Sequence, residues 1–259
     1  MLLNIKMISY FTFQQIDLGL ISIQVWGFFV SLGFLFSLLI SVKEGKKQGV
    51  SKENIWDIMI ISLIGIIIGS RFFYVFSNFE EFNALSDVFN LYKNGGFSFL
   101  GGGIVALILI YIYSKIKKID IYKLLDVLII GAIVALTITR VGCFFIYDHV
   151  GKITNLPWGR IYIDQSVRHP VALYHIINGI VIICLICYLK KRQLGQGVLA
   201  LSVVFYFIIS RFFLDFTRCM DLKVCDSRHL QLTYSQWILM FITPVSVYLL
   251  VIRMKNSKR

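Results

Sequence analysis

Charge is scarce in this sequence: 15% of its 259 residues are Asp, Glu, Lys or Arg, against 58% hydrophobic residues and a mean hydropathy of +0.78. That balance excludes an ordinary soluble domain and implies an integral membrane protein embedded in a lipid bilayer. Acidic residues are the scarcer sign, 14 against 26 Lys and Arg, for a net charge of +12. The lysines nevertheless lie in short clusters between apolar runs, the pattern of orientation signals, so no nucleic-acid partner is expected. Residues 1–20 lack the uninterrupted apolar centre and small-residue exit of a signal peptide, because Lys6, Gln14, Gln15 and Asp17 interrupt them. They predict no cleavage and a segment lying along the membrane interface.

Cysteine is also sparse, and its odd count of five excludes a disulfide framework. Cys143, Cys184 and Cys187 lie in or beside apolar runs as small hydrophobes. Cys219 and Cys225 share a polar loop and can bridge if that loop faces an oxidising compartment. No cysteine precedes Cys143, so no N-terminal lipid-attachment cysteine is expected. Period-2 alternation is absent, which argues against a barrel. No close-spaced pair of histidines or carboxylates offers an obvious ligand set, so neither a metal nor a cofactor is expected. No internal repeat or long polar stretch is visible, which predicts one integral membrane domain over 1–259.

What is present is hydrocarbon in lengths suited to a bilayer. A crossing helix needs about 20 apolar residues, and seven stretches qualify: roughly 20–42, 55–77, 98–115, 124–147, 170–189, 198–217 and 235–253. The fold class expected is all-α, a polytopic membrane protein with seven transmembrane helices. Lysines and arginines follow the first, third, fifth and seventh stretches: Lys43, Lys46, Lys47 and Lys52; Lys115, Lys117, Lys118 and Lys123; Lys190, Lys191 and Arg192; Arg253, Lys255, Lys258 and Arg259. The other loops are acidic or mixed, with Glu80, Glu81 and Asp87, then Asp148 and Asp164, then Asp221 and Asp226. The positive-inside rule then predicts a multi-pass protein of the cell membrane with its N-terminus outside and its C-terminus in the cytoplasm. The longer outer loops carry the unusual residues, which places chemistry near the outer leaflet.

Four segments could carry that chemistry. Asn94–Gly103 sets five glycines at the entrance of the third stretch, where unused amides could meet an anion or where helices could simply pack closely. Thr139–Lys152 buries Arg140 about two turns inside an apolar run and emerges through Asp148 and His149. Eight helical residues span roughly 12 Å, beyond direct pairing of Arg140 with Asp148, so a ligand or a carboxylate on another helix is the expected partner. Arg168-His169-Pro170 opens the fifth stretch, with His169 either a proton carrier or an interfacial histidine. Arg211, Asp215 and Arg218 share one helix face, and one carboxylate cannot saturate two guanidiniums.

In this order the segments resemble the bacterial prolipoprotein diacylglyceryl transferase family. The resemblance runs from about Val25 to the C-terminus and includes Trp26-Gly27, Gly69-Ser70-Arg71 with Tyr74, Gly95–Gly102, Arg140-Val141-Gly142 through Gly151, Pro157-Trp158-Gly159, Arg168-His169-Pro170 with Tyr174, Arg211, Asp215 and Arg218, and Ser235-Gln236. It implies transfer of the diacylglyceryl group of phosphatidylglycerol to the cysteine thiol of a lipoprotein precursor's signal peptide, forming a thioether and releasing glycerol phosphate. Arg140 and Arg211 would stabilise the departing phosphate, with Asp148 and His169 as further catalytic candidates. Arg71, Gly101, Gly102, Gly151 and Arg218 would join Arg140 in binding the phospholipid.

The chain departs from the family pattern at Leu100, where many members carry histidine and others tyrosine. It departs again at Cys143, often asparagine, at Trp26, often tyrosine, and conservatively at Asp148. The phosphate-binding half is thus retained, while Asp148, His149 and His169 are left to take the thiol proton. A non-catalytic or altered-specificity anionic-phospholipid-binding homologue is the alternative reading, and a transporter a further one.

Overall fold

The computed structural model describes residues 7–19, 22–79, 96, 98–192, 194–222 and 225–257, with the backbone alone described at 77, 99, 100 and 257. Among the described residues seven long helices dominate: α1 (Val25–Lys47), α2 (Lys52–Ser77), α3 (Phe99–Ile116), α4 (Ile121–Phe145), α5 (Val171–Lys190), α6 (Val198–Leu214) and α7 (Tyr234–Ser257). Three short antiparallel hairpins accompany them: β1 (Gln15–Asp17) with β2 (Ser22–Gln24), β3 (Arg160–Ile161) with β4 (Val167–Arg168), and β5 (Arg228–His229) with β6 (Leu232–Thr233). A helix lets backbone amides and carbonyls bond one another, which is what hydrocarbon demands of a crossing segment.

Six of these helices are long and apolar enough to span a bilayer, which makes the protein a multi-pass, mainly helical membrane protein. The expected seventh, α3, is not among them: over its fully described residues it runs from Gly101 to Ile116, shorter than the other six. Its start is glycine-rich and opens at an N-cap, Ser98, whose hydroxyl accepts the amide of Gly101 at 3.3 Å. The first helix also starts later than the expected 20–42, since Ser22–Gln24 pair with Gln15–Asp17 as β2 and β1 and Val25 then opens α1. At the other end α1 continues through Lys46 and Lys47, cations suited to a helix C-terminus.

The described chain divides into two compact units, residues 1–40 with 128–259, and residues 41–127. In the first, α4, α5 and α6 pack around Ile133, Ile182, Ile186, Leu199 and Val203, all buried. A side chain at Gly179 on α5 would meet the Thr137 hydroxyl of α4 at 2.1 Å, so only glycine permits that approach. Helix α6 begins after Gly197, whose φ of +84° is the left-handed turn glycine adopts without strain.

The segments beyond the helix ends of this unit assemble into a small head. Ile8 meets Arg160 in an isolated bridge, the Phe13 amide bonds the Phe145 carbonyl at 3.0 Å, and the Cys219 amide bonds the Val150 carbonyl at 2.9 Å. Arg160, only 3% exposed, donates to the carbonyls of Phe144 and Phe11 at 2.6 Å each and lies among the rings of Phe11, Phe144 and Tyr147. Such a caged guanidinium combines charge-assisted hydrogen bonds with cation–π contact. The segment expected along the membrane interface is therefore held, from residue 7, against the loop after α4. Cys219 and Cys225 form the disulfide that their shared loop allowed.

In the second unit, α2 and α3 cross closely. A Cβ on Gly101 would stand 2.3 Å from the Phe73 Cβ and 2.6 Å from the Gly69 carbonyl, and one on Gly102 3.0 Å from the Ile66 carbonyl. Glycine is needed there because two backbones touch.

Candidate active site

Helix α4 carries Arg140 to its last turns and presents the guanidinium one turn ahead of Cys143, with Nη1 3.8 Å from the thiol sulfur. That weak contact is its one polar contact, and no carboxylate pairs with it among the described residues. An intramembrane guanidinium without a counter-ion carries a desolvation cost of several kcal/mol that a bound anion would offset. The expectation that Asp148 lies beyond its reach holds: Asp148 instead contacts His149, accepting its amide at 2.9 Å and its Nε2 at 3.3 Å.

After α4 the chain turns sharply. Tyr147 and His149 both adopt left-handed backbone, with φ of 57° and 61°. Each such residue costs of order 1–3 kcal/mol and persists only where its surroundings hold it. Here the holder is Arg218, whose Nη2 lies 2.8 Å from His149 Nδ1 and 2.8 Å from an oxygen of Asp226. A guanidinium can only donate, so Nδ1 is the acceptor and the proton of the neutral ring sits on Nε2, facing Asp148. Burial, followed by the positive fields of Arg218, Arg140 and Arg211, pushes His149 down to about 2, which keeps the ring neutral.

Arg211 on α6 is held in the same way. Its Nη1 lies 2.6 Å from Nε2 of the buried His175 on α5, and its Nη2 3.2 Å from Asp215. Asp215, fully buried, opens the 3-10 turn after α6 and also receives the hydroxyls of Thr233 and Ser235. Arg218 stands 4.0 Å from the same carboxylate. Two guanidiniums therefore share one buried carboxylate, as their spacing of four and three predicts, and each gains a neutral imidazole. Nearby, Cys143, Asp148 and His149 bring a sulfur, an oxygen and a nitrogen within 4.8 Å of one another. Arg140 and Arg218 contact two of these three and repel a cation, so the surroundings suit a thiol and an anion rather than a metal.

Gly151 pairs with Arg218 across an isolated bridge, and a Cβ on it would strike the His169 carbonyl at 2.1 Å. His169 reaches the Tyr174 hydroxyl through Nδ1 at 3.0 Å, and the indole of Trp158 donates to the same hydroxyl at 3.0 Å. Burial, then the charge of Lys152, lowers the His169 pKa below its ordinary value. Arg71, Gly101 and Gly102 belong to the second unit, where Arg71 donates to the Gly96 carbonyl at 3.2 Å and lies 5.9 Å from the Tyr74 ring centre. The side chain of Leu100 and most of the segment from Asn94 to Phe97 lie outside the described residues, as do Glu80, Glu81 and Asp87.

Arg168, His175 and Asp226 are the residues that the sequence alone did not assign to the site. Arg168 is 1% exposed and uses all three guanidinium nitrogens: Nε on Ser166 at 2.7 Å, Nη1 on Gly151 at 3.2 Å and Asp221 at 3.0 Å, Nη2 on Asp221 at 2.7 Å and Asp164 at 3.2 Å. It staples the strand before α5 to the disulfide loop after α6. No spacing rule links it to Asp221, 53 residues away, although its place beside the His-Pro pair was a signal. The hydrogen bond from Arg168 holds the Asp221 carboxyl below its usual range. Its contribution is therefore complete above about pH 4, the ordinary carboxylate value, and is lost as pH falls through the lower folded value. Thermal unfolding in detergent from pH 7 to pH 3 should show an acid loss of stability that Asp221→Asn reduces; an unchanged acid limb in that variant would contradict the staple.

The comparisons with known proteins agree with this geometry. Residues 14–252 match the prolipoprotein diacylglyceryl transferase family profile. A phosphatidylglycerol-prolipoprotein diacylglyceryl transferase of Clostridioides difficile (strain 630) is 32% identical over 212 residues, covering 82% of this chain and 85% of that relative. A protein of the same name from Finegoldia magna is 30% identical, covering 82% of this chain and 86% of its own length, and one from Listeria innocua is 28% identical, covering 92% and 88%. With nearly its whole length matched, and with the paired arginines, the glycine junction and the Arg-His-Pro turn in place, the chain belongs to the prolipoprotein diacylglyceryl transferase family.

Proposed function

We propose that this protein transfers the diacylglyceryl group of phosphatidylglycerol to the cysteine thiol of lipoprotein precursors in the cell membrane. The observation that carries the reading is Arg140, a guanidinium inside a membrane helix with no carboxylate among the described residues. It offers a fork of donors to a phosphate where charge develops as the carbon–oxygen bond breaks. Arg211 and Arg218 lie near enough to add to the field at His149 and complete a positive site around one buried carboxylate. A labelled-lipid assay on the purified chain tests this: the diacylglyceryl label should appear on a peptide containing the signal-peptide cysteine, as a thioether, with release of glycerol phosphate. Flux of lipid or ion without consumption of the donor would favour transport instead.

The same reading uses seven crossings, α3 included, with the N-terminus and the head outside and the C-terminus in the cytoplasm. The lysines at the ends of α1, α3, α5 and α7, and the disulfide in the head, support that direction. A reporter active only outside the membrane should be silent when fused to the C-terminus and active when inserted after Gln165. The reverse pattern would overturn the orientation.

A further inference from the structure

We propose that His149 is the proton acceptor for the attacking thiol, and that the anionic lipid itself switches it on by drawing Arg218 away from His149 Nδ1. The inference rests on the function proposed above. In the structure the Nδ1 lone pair is occupied by the Arg218 guanidinium at 2.8 Å, so the ring has no free base. Phosphate is a far better acceptor for a guanidinium than imidazole is, because the bond gains a full opposite charge. A headgroup that takes the Arg218 N–H groups uncovers Nδ1 and, at the same moment, cancels part of the positive field that suppresses its basicity. Arg218, Arg140 and Arg211 are the charged causes of that suppression, so the lipid's own ligands are what keep the ring silent without it.

The surroundings fit this role. A ring nitrogen of His149, an oxygen of Asp148 and the sulfur of Cys143 lie within 4.8 Å of one another, so the fold already accommodates a thiol at this spot. The groups facing the ring are Arg218 and Asp226 beyond α6, Arg211 on α6, Arg140 and Cys143 on α4, His175 on α5 and its own neighbour Asp148. The left-handed backbone at Tyr147 and His149 fixes the ring's approach, and Asp148, 40% exposed, connects Nε2–H to water. In the step itself the precursor's S–H gives its proton to Nδ1. The sulfur forms a bond to the glyceryl carbon, and the carbon–oxygen bond breaks with its electron pair leaving on glycerol phosphate. The imidazolium then returns a proton from Nε2 through Asp148 to solvent.

The coupling is testable without turnover. With ¹⁵N-histidine in nanodiscs, the His149 ring should titrate at a higher pH in phosphatidylglycerol than in phosphatidylcholine; identical titrations in the two lipids would overturn the proposal. In the labelled-lipid assay, His149→Gln keeps a hydrogen-bonding side chain but cannot carry a proton. Its kcat should fall by about 10²–10⁴-fold, the usual contribution of a general base, with KM for phosphatidylglycerol within about threefold and the acid limb of the pH–rate profile lost. Retention of kcat and of that limb by His149→Gln would sink the assignment. Absence of transfer by the unaltered chain, with the lipid-dependent titration present, would refute the transferase reading while keeping the switch.

Discussion

Arg140→Ala is expected to lower diacylglyceryl transfer by about 10²–10³-fold, the cost of removing one preorganised donor from a developing oxyanion. Stability should scarcely change. Among the described residues the guanidinium's one polar contact is the Cys143 sulfur at 3.8 Å, so its loss breaks no ion pair there and removes a charge from hydrocarbon. This separation of activity from folding distinguishes a group kept for a ligand from one kept for the fold. Arg140→Lys should recover only part of the rate, because an ammonium supplies charge without the planar fork. The assay is labelled-lipid transfer beside thermal unfolding in the same detergent. Full transfer by Arg140→Ala, or its failure to fold, would each contradict the role given to this residue.

Arg168→Ala should do the opposite. Its guanidinium is buried and bonds Ser166, Gly151, Asp164 and both oxygens of Asp221. Its removal strands no buried charge, because both carboxylates are part-exposed, so the loss is that of charge-assisted hydrogen bonds, about 1.5–3 kcal/mol. Lysine at this position should rescue little, since one ammonium cannot reach partners that three nitrogens of a fork now serve. Transfer should fall only as far as the head loosens. Denaturation of Arg168→Ala, Asp221→Ala and the double variant checks the coupling, which should leave the double variant less destabilised than the sum of the singles. Strict additivity would mean that the pair does not act as a unit.

The membrane character and the helix order were legible because hydrocarbon imposes long apolar runs, and these need no tertiary information. Boundaries were less so. Ser22–Gln24 read as part of the opening of a span, yet they pair back on Gln15–Asp17, a tertiary choice that hydropathy does not register. The Arg211, Asp215 and Arg218 face was readable from helical spacing, and its shared carboxylate is as expected. The imidazoles that complete it were not, because His175 meets Arg211 across 36 residues and His149 meets Arg218 across 69. Glycine gave the least direct signal. The choice at Gly101 and Gly102 lay between bare amides for an anion and close packing, and the structure shows the close packing against Gly69, Phe73 and Ile66.

The head is stitched from chain segments remote in order: Arg160 reaches back 149 residues to Phe11, and Arg168 forward 53 to Asp221. During synthesis the partners of Arg160 are all made before it, whereas the Arg168 clasp cannot be complete until the stretch following α6 has been made. Closure of such distant contacts is intrinsically late. Until then Arg211 and Arg218 sit in the bilayer without Thr233 and Ser235 to hold their shared carboxylate. Maturation of the arginine–carboxylate cluster is thus tied to delivery of the last helix, and a nascent chain stalled before α7 would hold both arginines without the hydroxyls that settle Asp215.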